Sequence, residues 1–220
     1  MTHPWNTRPA DYSLPAHWPM DEEDRDYLTD YLWSLVVRSE SDPGYYLDAL
    51  GEELPDVDEA ETRAFVDDLF ALRRRQQDEL GAQPTSRLTQ AFAELETIGV
   101  IAREDFTCCG TCGHAEIGDE RENMPDARGF VYYHEQDTER LIEDRATYIG
   151  YGVFLDSHLS ADEWEALSAA EKDATYDSLT RGLMNDEIIP VLRQHGIDVD
   201  WDGDLGRRIL LTDVDYFASL

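Results

Sequence analysis

The chain is nearly devoid of lysine: Lys172 is the only one. Its eighteen Lys and Arg stand against forty-nine Asp and Glu, a formal net charge of −31 with a pI near 4.2. Such a surface repels nucleic-acid phosphates at long range, and no basic stripe offsets the repulsion, so no nucleic-acid partner is expected. The arginine-for-lysine usage fits a bacterial chain from a GC-rich genome. Long apolar runs are also missing. None approaches the roughly 18 residues of a membrane span, and the first residues lack a basic stretch followed by an apolar one. No membrane partner is expected, and the expected location is cytoplasmic. There is no glycine-rich phosphate loop, no G-x-S-x-G elbow and no H-E-x-x-H pair, so no common enzyme class is indicated. What the chain does have is 41% hydrophobic and 10% aromatic residues, enough for a buried core. The acidic excess has two readings: a solvated, soluble surface, or a binding face of the immunity-protein kind that neutralises a basic protein partner.

Proline and helical periodicity divide the chain. Residues 1–19, with Pro4, Pro9, Pro15 and Pro19, read as an extended arm pinned by Trp5 or Trp18. A helical region follows over 20–102. Its first helix spans about 21–38 with Leu28, Tyr31, Leu32, Leu35 and Val36 inward, and Ser41-Asp42-Pro43-Gly44 breaks the chain. A second helix runs from about 56 to Gly81, and a third carries Leu88, Ala91, Phe92, Leu95 and Ile98 up to a left-handed cap at Gly99. Residues 103–220 form an α+β region. It has strands near 129–135 and 147–154, a short helix between them, and a closing hairpin of 197–201 and 207–212. Ser160-x-x-Glu163 and Ser168-x-x-Glu171 are capping boxes, and the second opens a long helix that Pro190 should kink. The expected fold is α+β: N-terminal helices, then a mostly antiparallel sheet of about four strands backed by helices.

All three cysteines, Cys108, Cys109 and Cys112, lie within five residues, which is no disulfide framework. Cys109-x-x-Cys112 has the spacing with which two thiolates grip one tetrahedral metal ion such as zinc, and Cys108, His114 and His134 are the candidates to complete it. The leading ligand set is Cys109, Cys112 and His134. The same spacing also suits a redox dithiol, or inert thiols in a tight turn. The second cluster is Tyr133-His134-Glu135-Gln136-Asp137-Thr138-Glu139, at a strand end running into a helix. There His134 is a candidate base or ligand, Glu135, Gln136 and Asp137 are candidate polar groups of a pocket, and Asp137 is a candidate cap. A histidine beside a carboxylate also serves as a plain structural contact. No residue is assigned a catalytic role. Asp200-x-Asp202-x-Asp204 starts like a calcium loop, but Leu205 and Leu211 occupy the positions that need glycine and an acid.

Phe106-x-Cys108-Cys109-x-Thr111-Cys112-Gly113 and Gly129-x-Val131-x-Tyr133-His134-Glu135-Gln136-Asp137-Thr138-Glu139 resemble the signature of an uncharacterised, mostly actinobacterial family built on a domain of unknown function. Gly152, Trp201, Asp202, Gly203 and Arg208 fit the same pattern, so the resemblance covers roughly residues 84–212. It implies kinship and brings no activity with it.

Overall fold

The structure is a computed structural model and describes residues 3–220. It divides into two compact units, Met1–Pro84 together with Phe217–Leu220, and Thr85–Tyr216.

The first unit holds α1 (Glu22–Val37), α2 (Pro43–Glu53) and α3 (Glu59–Leu80). Asp21 caps α1 by accepting from the Asp24 N–H, and Glu22, Glu23 and Asp24 place negative charge at the positive end of the helix. Leu28, Leu32 and Val36, spaced four apart, are buried on one stripe. The tetrapeptide 41–44 ends one helix and also begins another: Asp42 accepts from the Gly44 N–H and Pro43 fills the first turn of α2, where its missing N–H costs nothing. Local propensity marks only the break, so α2 is an element beyond those expected, and the helix expected from about 56 begins after Asp58, its cap. Within the arm, Trp5 and Trp18 are each 2% exposed, and Trp18 packs edge-on against Phe65 with ring centroids 5.1 Å apart. The first two residues of the arm lie outside the described residues. Beneath it, Arg73 is fully buried. Its guanidinium donates to the Trp5 carbonyl, to Gln76 Oε1 (2.8 Å) and to the Ala218 carbonyl (3.3 Å), and it lies 5.7 Å from the ring centres of both Trp5 and Trp33. Burial lowers its pKa to about 10, so it remains charged at neutral pH.

The second unit begins with α4 (Arg87–Thr97), capped by Ser86. A boundary near 102 would cut α4 from its partners: Leu88, Ala91, Phe92 and Leu95 belong to one core with Val100, Val131, Ile149, Leu192 and Ile209. After α4 come β1 (Val100–Arg103), α5 (Gly110–Glu116), β2 (Gly129–Tyr132), α6 (Glu135–Asp144) and β3 (Ala146–Val153). Then follow α7 (Ala161–Glu165), α8 (Ala169–Leu183), a π-helical turn (Met184–Ile188), α9 (Ile189–Gln194), β4 (Asp198–Asp200) and β5 (Ile209–Thr212). The fold is α+β. The sheet has five strands in the order β1-β2-β3-β5-β4, and it is mixed: β1 pairs with β2 in parallel, the other neighbours antiparallel. The unexpected strand is β1, whose four residues follow Gly99 at once and are too few to show alternation. Parallel pairing needs a crossover, and the segment between β1 and β2, including α5, supplies it. Both Ser/Glu capping boxes form. The expected kink becomes a π-helical turn just before α9, with Pro190 in the first turn of α9. Among the described residues, no helix is long and apolar enough to cross a membrane.

Candidate functional site

The cysteines sit on the β1–β2 crossover, and the backbone leading to them is strained. Asp105 and Thr107 both adopt left-handed conformations (φ 49° and 61°), an unfavourable choice for a β-branched threonine. Neighbours hold this turn in place. The Phe106 N–H donates to the Tyr133 carbonyl at 2.8 Å, the Glu135 N–H donates to the Thr107 carbonyl at 3.1 Å, and the Thr138 hydroxyl donates to the Asp105 carboxylate. The chain is thereby turned so that Cys109 stands in extended conformation immediately before α5, with Cys112 in the helix.

One glycine, Gly113, lets α5 lie close to β2. A Cβ on Gly113 would stand 2.4 Å from Tyr132 Cε2, an impossible contact, so the helix reaches this depth only because residue 113 is glycine. The Tyr132 hydroxyl donates to the Gly110 carbonyl at 3.0 Å and fixes the start of the helix. Gly110 faces the His134 ring, 3.6 Å from where its own Cβ would be.

The three thiols converge. They are free, their Sγ atoms all lie within 4.8 Å of one another, and Cys108 Sγ is 3.5 Å from Cys112 Sγ. Among the described residues they form the one cluster of three or more metal-ligating side chains, so they are a group that could hold a metal ion. Cys108 is exposed, Cys109 and Cys112 half-buried. The thiol of Cys109 is held below the ordinary cysteine range, first by the Cys112 N–H and the Cys112 thiol, then by the Thr111 N–H. The Cys112 thiol is pushed up to about 12 by its close contacts with the Cys108 and Cys109 sulfurs, whose negative charge would repel its own.

The two histidines do not join that cluster. His114 follows Cys112 by two residues, a step that sends side chains to different sides of a helix. It packs edge-on against Phe130 with Nδ1 3.4 Å from the Tyr132 hydroxyl. His134 stands at the cap of α6, 5% exposed, with Nε2 3.0 Å from Asp137 Oδ2 and 3.3 Å from an Arg208 nitrogen. Burial lowers its pKa below the usual histidine value, Asp137 opposes that shift, and Arg208 adds to it. Of the three candidate polar groups after it, Glu135 and Gln136 are exposed and Asp137 turns inward. Asp137 caps from the third helical position, accepting from the His134 backbone N–H at 3.3 Å.

Arg208, from the segment entering β5, completes the arrangement and was not among the expected site residues. It donates to both carboxylate oxygens of Asp137 and to the Tyr148 carbonyl at 2.7 Å, with its guanidinium 5.7 Å from the Tyr148 ring centre. Its only trace in the sequence is the C-terminal part of the resemblance. Arg208 also lines an open groove of about 550 Å³ walled by Tyr148, Trp201 and Leu210, with Arg207 and Asp202 paired at its rim. A continuous line of contacts thus leads from the groove through Arg208 and His134 to Gly110, the residue after Cys109. The alternating aspartates of the hairpin serve its turn: Asp202 accepts from the Asp204 N–H, and Asp204 from the Gly206 N–H.

A model of the family described as "Domain of unknown function (DUF6891)" matches residues 21–217. No curated protein and no solved structure matches.

Proposed function

The chain belongs to this family, and we propose that its three thiols bind one zinc ion, or a cation equally partial to sulfur, in a non-catalytic protein. The observation that carries this reading is the sulfur spacing. Zinc–thiolate bonds of about 2.3 Å in a tetrahedron put sulfurs roughly 3.8 Å apart. The mutual limit of 4.8 Å and the 3.5 Å approach of Cys108 to Cys112 bracket that separation, so small side-chain rotations suffice. The fourth position falls to water or to an incoming group, because His114 engages Tyr132 and Phe130, and His134 engages Asp137 and Arg208. The ligand set Cys109, Cys112 and His134 requires His134 to leave those partners, and His134→Asn tests it: metal affinity is retained if the thiols suffice. The proposal belongs with a reducing, cytoplasmic setting, where the thiols stay available to metal.

A second reading, thiol–disulfide exchange, is favoured by the 3.5 Å approach of Cys108 and Cys112 Sγ and by the readily ionised Cys109. Metal content by mass spectrometry on tag-free protein purified under reducing conditions, beside a count of reactive thiols, separates the two. The metal reading expects about one zinc per chain with the thiols protected. No metal and three freely reactive thiols would refute it.

A further inference from the structure

Far along the chain from the cysteines, α1 and α2 display an aromatic, acidic groove. On α2, Tyr45, Asp48, Ala49 and Glu52 are three, four and seven residues on from the first, so they share one face, while Tyr46 and Leu50 are buried on the other. On α1, Tyr27 and Tyr31 are four apart and their rings stack, with centroids 6.1 Å apart and planes inclined by only 13°. Together Tyr27, Tyr31, Tyr45, Asp48, Glu52 and Glu53 line a groove of about 260 Å³. Among the described residues, no basic side chain lines it. Tyr27 and Tyr45 are 62% and 57% exposed, more than any other large hydrophobic side chain among the described residues. Among the described residues, Asp48, Glu52 and Glu53 enter no ion pair. Residues 21–54 as a whole carry eleven carboxylates against two arginines.

We propose that this groove docks an arginine side chain presented by a basic partner protein. Tyrosine faces attract cations, and arginine in particular stacks its flat guanidinium on such rings while its N–H groups bond carboxylates. Both halves of that chemistry are present here. The volume falls below the roughly 300–1,000 Å³ of pockets for whole small ligands, which suits one side chain entering from a larger body. The strong negative charge of the chain draws a basic protein in from a distance, and the tyrosines then discriminate arginine from any other positive group. This site is independent of the thiol cluster, and neither proposal depends on the other.

The test must separate the groove from bulk charge. The probe is a short amidated Gly–Arg–Gly–Arg peptide, titrated by calorimetry against the full chain in physiological salt. Its lysine counterpart and spermine serve as comparisons. The double substitution Tyr27→Leu and Tyr45→Leu leaves the net charge unchanged, and both rings are exposed, so the thermal unfolding of the variant should match the wild type. Binding of the arginine peptide should weaken about tenfold in that variant and should exceed binding of the lysine peptide in the wild type. Replacing Asp48, Glu52 and Glu53 by their amides should weaken it more than neutralising Glu116, Glu122 and Asp126 in the other unit. Equal losses from the two triple substitutions, or unchanged affinity in the tyrosine variant, would reduce the binding to net charge and overturn the proposal. Spermine binding more tightly than the peptide, or no binding of the arginine peptide at all, would overturn it as well.

Discussion

Arg208 holds both carboxylate oxygens of Asp137, and Asp137 in turn contacts the side chain and the backbone N–H of His134. One guanidinium from the hairpin therefore sets the first turn of α6, and with it the ring that lies against the start of the cysteine helix. Asp137 is buried and Arg208 partly exposed, 7% and 39% by side chain. Removing the acid therefore leaves a cation that still reaches solvent. Asp137→Asn is expected to destabilise the second unit by about 1–3 kcal/mol, less than the loss of a fully buried pair. Urea denaturation checks this, and an unchanged midpoint would show that the pair contributes nothing net.

The glycines of the Cys109-Gly110-Thr111-Cys112-Gly113 segment are predicted to behave differently. Gly113→Ala drives a methyl group into Tyr132 and should cost about 1–3 kcal/mol, while displacing α5 and weakening metal binding. Gly110→Ala meets only ordinary contact at 3.6 Å from His134 and should be tolerated within about 0.5 kcal/mol. Thermal melts and zinc affinity of the two variants measure the contrast. Equal behaviour would mean that the depth of α5 is not set by residue 113.

Much of this was legible in the sequence. The helices over 22–37 and 87–97 announced themselves through their apolar spacing, and the two Ser/Glu boxes formed as written. The cysteine cluster was evident from its composition. Other features were hidden for physical reasons. α2 begins with Pro43-Gly44, which reads as a break when only local propensity is considered. β1 is four residues long and buried, so no alternation of polar and apolar residues marks it. Arg208 lies 71 residues beyond Asp137, and a single arginine carries no local signal of a distant carboxylate.

Arg128 gives a prediction in pH. It donates to both oxygens of Glu187, at 2.7 and 2.5 Å, from beside β2 to the π-helical turn. That contact holds the Glu187 carboxyl below the usual glutamate range. A carboxyl depressed in the folded state stabilises the fold above its unfolded pKa of about 4.3, and that contribution is lost as pH falls through the lower folded value. Glu187→Gln should therefore cost about 1–2 kcal/mol at neutral pH, with the gap to wild type narrowing below about pH 4. Denaturation across that window reads it, and a gap independent of pH would contradict the ion-pair account.

In the first unit, Arg73 ties the arm and the C-terminal residues to α3 through the carbonyls of Trp5 and Ala218. Arg73→Met keeps most of the apolar stem and removes every donor. It should cost about 2–4 kcal/mol and expose both segments to proteolysis. Limited digestion followed by mass spectrometry checks the second part, and protection equal to wild type would refute it.

The central claim is that the three thiols are metal ligands, and a cobalt titration of the reduced, metal-free chain tests it most directly. Cobalt takes the same tetrahedral thiolate sites as zinc and reports them by a sulfur-to-metal charge-transfer absorption whose strength grows with the number of thiolates. The account predicts that the band saturates at about one equivalent with the strength of three thiolates, vanishes when zinc is added, and weakens in each of Cys108→Ser, Cys109→Ser and Cys112→Ser. No charge-transfer band, or one that survives all three substitutions, would contradict it.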